Sequence, residues 1–459
     1  MIDLNRLSAT DQARGFAAGD FKAVELLEAC IYQIEKHDRS IHAWACLDFE
    51  TARNTARALD QKFARNEKPG RLAGLPIGIK DIFNLDGMPC EMGSPIWKGF
   101  TPGNDARVVH YLRMADAIFP GKTVTAEFAV HAPGPTCNPH HFDYMPGTSS
   151  SGSAAAVAAY MIPLALGTQT AGSTIRPASY CGIYGFKPSF GLLPRTGMLK
   201  TTDTLDTVGL FARTVEDVAL MFDVVRVQGR DFPIHESKLN DPKLQNKMGS
   251  RWKVGIVRGP KSAGWEPYAK QALDEFSKRL SKTKDMEVEE LSLPESFSDA
   301  HNIHSTIYDK TLSYYFKEEY QQKTLVSKVM YEVINHGQSI TLDDYKNAIE
   351  AQSALSHELD RLFEKYDVLL DLSTGGEPLK GLDSVDRPDH CLIWTLCGVP
   401  AMNLPVFQGP NGLPFGAQLV SRRYSDFRLL QFARVLKAQQ LIPDGTHPVP
   451  KMAMEKAAQ

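Results

Sequence analysis

Apolar residues recur at helical spacing early in the chain, at Val24, Leu27, Ile31 and Ile34, which predicts an amphipathic helix over 22–37. A shorter helix is expected just after Ser8, a good N-terminal cap, and a third over about 50–66. Further on, short apolar runs at 76–80, 117–120, 163–168, 253–257, 367–371, 401–404 and 415–420 read as buried strands. Helical patterns at 105–115, 152–160, 214–226, 266–281 and 425–440 separate them. This alternation predicts a layered α/β fold built on a mixed sheet. Residues 230–365 differ in character, being rich in Lys, Asp, Glu and Tyr and largely helical from about 298 onward, like an insertion. No Pro/Ser-rich linker and no internal repeat divides the chain, so one domain over 1–459 is expected. Within it we distinguish 65–230, a variable and mostly helical 231–380, and 381–459 returning to the core.

Three polar, glycine-punctuated segments interrupt this pattern. In PGTSSSGSAAAVAA, from Pro146, a cluster of serines precedes an Ala-rich run, as in a loop that caps a helix. In Gln169-Thr170-Ala171-Gly172-Ser173 small residues follow an apolar strand, leaving backbone N–H groups free to converge on an anion or an oxyanion. Each loop alone reads equally as a cap or a tight turn. In GLPIGIKD, from Gly74, Lys80 ends an apolar strand. Lysine is rarely buried, and a desolvated amine loses its proton readily and can serve as a base near neutral pH. A lysine snorkelling from a strand end is the plain alternative.

Taken together and in this order, the three segments resemble the motifs of the amidase signature family of serine hydrolases. GLPIGIKD matches its lysine motif, PGTSSSGSAAAVAA its glycine-serine motif and GTQTAGSTIRPASYCGIYGFKP its nucleophile motif. GKTVTAEFA from Gly121 and LDTVGLFARTVEDVALM from Leu205, with Asp206 and Arg213, also fit. The resemblance is strong over about 5–230 and returns around IWTLCGVP from Ile393 and GLPFGAQL from Gly412. It implies a large twisted mixed sheet sandwiched by helices, with 65–230 as the catalytic core and 231–380 covering the site.

It also implies a Ser–cisSer–Lys triad: Ser173 as nucleophile, Ser149 as the bridging serine, Lys80 as the base, and a cis peptide between Thr148 and Ser149. The oxyanion hole falls on the backbone of Thr170, Ala171, Gly172 and Ser173. Ser150, Thr148, Asp206 and Arg176 are supporting residues. Met145, Trp97 and Trp394 are candidates for the pocket wall, the two tryptophans lying beside family motifs, where they favour apolar or aryl acyl groups. His301, His304, Tyr308, Tyr314 and Tyr315 are weak candidates, whose plainer reading is a helix packing its aromatics on the core. Four features depart from the family: Thr148 stands where a second glycine is usual, Tyr144 where arginine often stands, Gln169 and Ala171 replace the Asp and first Gly of Asp-Thr-Gly-Gly-Ser, and Arg176 follows the serine by three positions rather than two. A Cβ at 148 and at 171 narrows the loops.

The chemistry follows from the residue types. A serine hydroxyl is a poor nucleophile without a base in reach, and a lysine is a base only when neutral. The activity implied is hydrolysis of a linear carboxylic amide through an acyl-enzyme, releasing carboxylate and ammonia or an amine. The alternatives are ester or carbamate hydrolysis at the same triad, or the glutaminase subunit of a tRNA-dependent amidotransferase, whose usual DTGGSIRQPA loop differs from QTAGSTIRPAS. No cofactor and no metal is called for. The partner expected is a small-molecule amide, with a homodimer left open.

Composition narrows the field. With 43% hydrophobic and 23% charged residues, the chain has the make-up of an ordinary globular enzyme. A net charge of −3 with interspersed signs gives no footprint for nucleic acid. The start MIDLNRLSATDQARG predicts no secretory signal, and the apolar stretch 154–170 is too short and too interrupted to span a membrane. The seven cysteines, at 30, 46, 90, 137, 181, 391 and 397, show no CxxC spacing and read as reduced packing residues of a cytoplasmic protein. His140-His141 reads as a surface loop.

Overall fold

The computed structural model describes residues 3–229, 231–383 and 389–451. Its eleven strands are β1 (Trp44–Leu47), β2 (Ile77–Lys80), β3 (Gly121–Thr123), β4 (Leu164–Gln169), β5 (Tyr184–Lys187), β6 (Thr207–Ala212), β7 (Trp252–Val257), β8 (Met286–Leu291), β9 (Val368–Leu372), β10 (Ala401–Gln408) and β11 (Pro414–Val420). They form a single sheet in the order β1-β3-β2-β4-β6-β5-β10-β11-β9-β7-β8. It is mixed. β2 pairs in parallel with β3 and β4, β7 pairs in parallel with β8 and β9, and the strands between the two parallel groups run antiparallel. The α/β expectation is met.

Six of the seven strand expectations coincide with β2, β4, β7, β9, β10 and β11. The run at 117–120 does not. Ile118 makes only an isolated bridge to Pro76, and the strand is the next segment, Gly-Lys-Thr, which pairs with β1 and β2. Its polarity hid it, because buried Lys122 is neutralised by Asp81 at 2.9 Å. β1, β5, β6 and β8 lacked distinct runs. β5 and β6 fall inside or beside the glycine-rich motifs, and β8 is an edge strand with an alternating pattern.

The helices follow their patterns more closely. Ala9–Ala18 is capped by the Ser8 side chain accepting from the Asp11 N–H. The helix expected over 22–37 runs on as Ala23–Ile41 and stops where His42 turns left-handed. Beyond residue 298 come Ala300–Tyr315, Lys328–Ser339 and Leu342–Leu362. The Ala-rich run forms Ser151–Ala158, every residue of which is buried. Small side chains are required there: a Cβ on Gly152 would meet the Ala43 carbonyl oxygen at 2.3 Å and the Val124 nitrogen at 2.4 Å. The helix therefore lies almost directly on the loops flanking β1 and β3, and its first residues follow the serine cluster.

All seven cysteines are free. Among the described residues no helix is long and apolar enough to cross a membrane, and no group of His, Cys, Asp and Glu is placed to hold a metal. His140 is half-buried, its Nε2 lying 2.9 Å from the Cys181 carbonyl oxygen, while its neighbour His141 is exposed.

Candidate active site

Lys80 is the last residue of β2, and β4 runs parallel beside it with Ile79 opposite Leu166. The ends of two neighbouring strands thus bring Lys80 and Thr168 together, at the carboxyl ends of parallel strands, where open α/β folds carry ligands. The amine of Lys80 is wholly buried and meets hydroxyls only. Nζ lies 2.6 Å from Ser149 Oγ, 3.0 Å from Ser150 Oγ and 2.9 Å from Thr168 Oγ1. Burial, opposed by the charge of Asp206, holds the Lys80 pKa well below the usual lysine value.

Two other lysines are equally buried. Lys122 has its carboxylate partner in Asp81. Lys187 donates to the carbonyls of Pro188 and Val399 and is lowered to about 7, by burial working against Asp426. Of the three, Lys80 is the one whose contacts are side-chain hydroxyls, with neither a carboxylate nor a carbonyl beside its amine among the described residues.

The serines are presented by a sharp turn. Gly147 has φ 97°, open to glycine at little cost, and packs against Pro177, so a Cβ there would come within 2.8 Å of the Pro177 Cα. Ser150 Oγ donates to the Thr168 carbonyl at 3.3 Å, and Gly167 leaves it room, since a Cβ there would meet Ser150 Oγ at 2.9 Å. The cis peptide expected between Thr148 and Ser149 is not found; the cis bond among the described residues is His447–Pro448. Ser149 reaches Lys80 regardless, because the turn at Gly147 already aims the loop at the strand end.

β4 runs into the second loop, and the loop into a helix the sequence did not signal, Ile175–Cys181. Gln169, in place of the family's aspartate, caps it: Oε1 accepts from the N–H groups of Thr174 and Ile175, both at 2.9 Å. For the four preceding N–H groups, those of residues 170–173, no acceptor is found among the described residues. Ser173 stands half-buried at the end of this row. Thr170 Oγ1 donates to Asp206 at 2.8 Å, and the same carboxylate accepts from the backbone and hydroxyls of Thr201 and Thr202.

A cavity of about 460 Å³ opens beside this loop. Thr148, Ala171, Arg176 and Met145 line it, as do His301, His304 and Tyr308. Thr148 and Ala171 are the two positions where side chains replace family glycines, and both face the cavity. The three residues from Ala300–Tyr315 share one helix face with Ser305 and Asp309, which sequence reasoning missed. Arg176 forms an ion pair with Asp389, a partner far away in sequence that no local signal identifies. Burial favours the neutral carboxyl of Asp389, yet Arg176, the Cys391 N–H and nearby histidines outweigh it and keep its pKa below the usual value.

Four wall candidates are corrected. Trp394 is fully buried and Leu392, two residues earlier, faces the cavity instead. Trp97 donates Nε1–H to Glu319 at 3.2 Å and packs edge-on to Phe100, away from the cavity lining. Tyr314 is 68% exposed, and Tyr315 donates to Asp203 at 2.8 Å. The wall therefore sets Arg176, Asp309 and Asp389 among apolar side chains such as Met145, Tyr308, Val329 and Leu392, and no tryptophan is among its described lining residues.

Comparison with known proteins gives the family. The amidase family model matches residues 25–430, and the chain belongs to the amidase signature family of enzymes, which act on amide C–N bonds. Among its relatives, the A-type subunit of the glutamyl-tRNA(Gln) amidotransferase of Streptomyces coelicolor is 32% identical, the match covering 98% of this chain and 99% of the relative. The corresponding amidotransferase subunit from Clostridium acetobutylicum is 30% identical over 91% of the chain and 96% of the relative. A crystal structure described as an amidase superposes with TM-score 0.84 at 26% identity, covering 94% of this chain and 100% of the other. An inhibitor-bound vestigial protein complex related to an s-triazine catabolic enzyme gives 0.85 at 26% identity over 95% and 99%.

Proposed function

We propose that the chain hydrolyses a linear carboxylic amide through an acyl-enzyme on Ser173. The observation that carries this reading is the buried Lys80 amine, bounded by three hydroxyls and no carboxylate. A neutral lysine has two N–H donors and one lone pair. Ser150 directs its own proton at the Thr168 carbonyl, so its oxygen is free to accept from Nζ, and Thr168 Oγ1 can take the second N–H. The lone pair is left for the Ser149 proton.

In this scheme Ser173 Oγ attacks the acyl carbon and passes its proton to Ser149 Oγ as Ser149 gives its own to Lys80. The tetrahedral oxygen is met by backbone N–H groups of 170–173, where one such donor contributes on the order of 3 kcal/mol. Lys80 then returns its proton through Ser149 to the leaving nitrogen, and the C–N bond breaks. Water attacks the ester by the same route, its proton passing to Lys80 and from there back to Ser173. Asp206 holds Thr170, and Met145, Thr148 and Arg176 border the acyl pocket. Esters and carbamates fit the same chemistry, since the leaving atom need not be nitrogen. A cytoplasmic location accords with seven free cysteines.

The relatives favour a narrower second reading, in which this amidase is the ammonia-supplying component of a tRNA-dependent amidotransferase and works with a partner chain. The opposite charges of Arg176 and Asp389 at the cavity suit the α-amino acid end of free glutamine. The test is ammonia or amine release from glutamine, short aliphatic amides, aryl amides, anilides and a carbamate, with Ser173→Ala in parallel. Turnover of simple amides that vanishes in the variant supports a free-standing amidase. Turnover of glutamine alone, or only with a co-purifying partner chain, selects the second reading. Activity that survives Ser173→Ala overturns both.

A further inference from the structure

The row of free N–H groups at 170–173 is held from behind, by two side chains outside the three motifs. His304, on the helix Ala300–Tyr315, places Nε2 2.8 Å from the Thr170 carbonyl oxygen. A carbonyl only accepts, so Nε2 carries the hydrogen. Thr395, on the helix Leu392–Leu396, donates its hydroxyl to the Ala171 carbonyl at 2.6 Å. The hydroxyl is itself oriented, because it accepts from Gln169 Nε2 at 3.0 Å. Its longer approach to the Cys391 carbonyl, 3.5 Å, competes poorly for its single proton.

In a trans peptide the C=O and the following N–H point in opposite directions in one plane. Pinning the Thr170 carbonyl on His304 therefore fixes the Ala171 N–H on the opposite side. Pinning the Ala171 carbonyl on Thr395 does the same for the Gly172 N–H. Neither N–H has an acceptor among the described residues. On either side the loop is tied by the Thr170 hydroxyl donating to Asp206 and by the Gly172 carbonyl accepting from the Arg176 N–H; His304 and Thr395 hold the two peptide planes between.

We propose that His304 and Thr395 are positioning residues that clamp two peptide planes of the nucleophile loop so that the Ala171 and Gly172 N–H groups face the reacting carbonyl oxygen. This rests on the acyl-enzyme reading above. It makes the variable helical segment part of the catalytic geometry and not merely a cover. It also gives Gln169 a task an aspartate could not perform, since a carboxylate has no N–H for Thr395. His304 is kept neutral, its pKa lowered to about 4 chiefly by burial, and it stacks on Tyr308 at 5.6 Å, so the clamp keeps one protonation state across the neutral range.

The test compares Thr395→Val, which keeps the shape and removes the donor, with Thr395→Ser, which restores it, and His304→Ala with His304→Gln. The first readout is the rate of Ser173 labelling by a fluorophosphonate, which needs no knowledge of the substrate. The second is kcat and KM on the best amide from the panel. The third is affinity for a tetrahedral boronate. We expect Thr395→Val and His304→Ala to lose about tenfold to a hundredfold in labelling rate and kcat, less than the roughly 10²–10³ lost with an oxyanion donor itself. Boronate affinity should fall in parallel, KM should stay within about twofold, and Thr395→Ser should recover most of the loss. Unchanged labelling and kcat in soluble, folded Thr395→Val and His304→Ala overturn the clamp while leaving the function intact. So does a loss confined to KM. A wild-type protein that does not label at Ser173 overturns the function, and the clamp with it.

Discussion

Replacing Lys80 by methionine separates the lysine's chemistry from its packing. Methionine fills a similar volume without an amine, and the site is wholly buried. Removing the base should lower kcat/KM by about 10²–10⁴, the usual contribution of a positioned proton carrier, or about 3–5 kcal/mol of barrier. Stability should respond in a way a merely structural lysine would not produce. Because the folded pKa of Lys80 lies well below the ordinary value, the unfolded chain binds more protons between the two values. Stability then rises with pH in that window, by about 1.4 kcal/mol per unit. From pH 8 to pH 10 Lys80 should therefore add stability, and the methionine variant should lack that increment. Lys187, lowered to about 7, adds a slope of the same sign but is present in both proteins and cancels in the difference. Urea unfolding of both proteins at the two pH values measures the effect, and a pH–rate profile gives its kinetic counterpart, an acid limb present only with Lys80. Equal stability slopes in the two proteins would mean that Lys80 is charged in the folded state and that the proton relay is wrongly drawn.

Asp206→Asn should cost about 1.5–3 kcal/mol and slow turnover, since one carboxylate oxygen serves the Thr170, Thr201 and Thr202 hydroxyls and the other the Thr201 and Thr202 N–H groups; denaturant titration and kcat check it. Gly152→Ala should prevent stable folding, because its methyl lands 2.3 Å from a backbone oxygen in a fully buried helix; soluble yield and thermal melting report it. Lys187→Met should strip a donor from the buried Val399 carbonyl and flatten the stability–pH curve just above pH 7, without abolishing Ser173 labelling. Arg176→Ala leaves Asp389 without its cationic partner at the cavity, so it should raise KM for a substrate bearing a carboxylate far more than for a neutral amide; equal effects on the two would remove Arg176 from substrate recognition.

Much of the site could be read from the chain because its motifs are local. A glycine that permits a sharp turn, serines ahead of an alanine run and small residues after a strand are backbone requirements, and backbone requirements are written at fixed short spacings. That is why Lys80, Ser149, Ser150, the 170–173 loop and Asp206 could all be named as candidates from the chain alone. The periodic helices were legible for the same reason, since 3.6-residue spacing needs no partner to show itself.

Burial and distant pairing were a different matter. The sequence contains three lysines that end up equally buried, and its local pattern cannot say which has a carboxylate beside it; only the parallel pairing of β2 with β3 and β4 puts Asp81 against Lys122 and hydroxyls against Lys80. β3 was displaced from its expected position because a polar Gly-Lys-Thr strand looks like a loop until its ion pair is known. Trp394 and Leu392 lie two residues apart on one short helix, and which of them faces the cavity depends on where that helix packs. Arg176 with Asp389, and the carbonyls of Thr170 and Ala171 with His304 and Thr395, join segments more than a hundred residues apart. The sequence determined the candidate nucleophile, the candidate base and the turn at Gly147, since these are short-range requirements of backbone geometry and residue chemistry. The tertiary structure alone decided which charges are neutralised, which walls the substrate meets and what holds the loop's peptide planes, since those depend on distances between elements that no local pattern encodes.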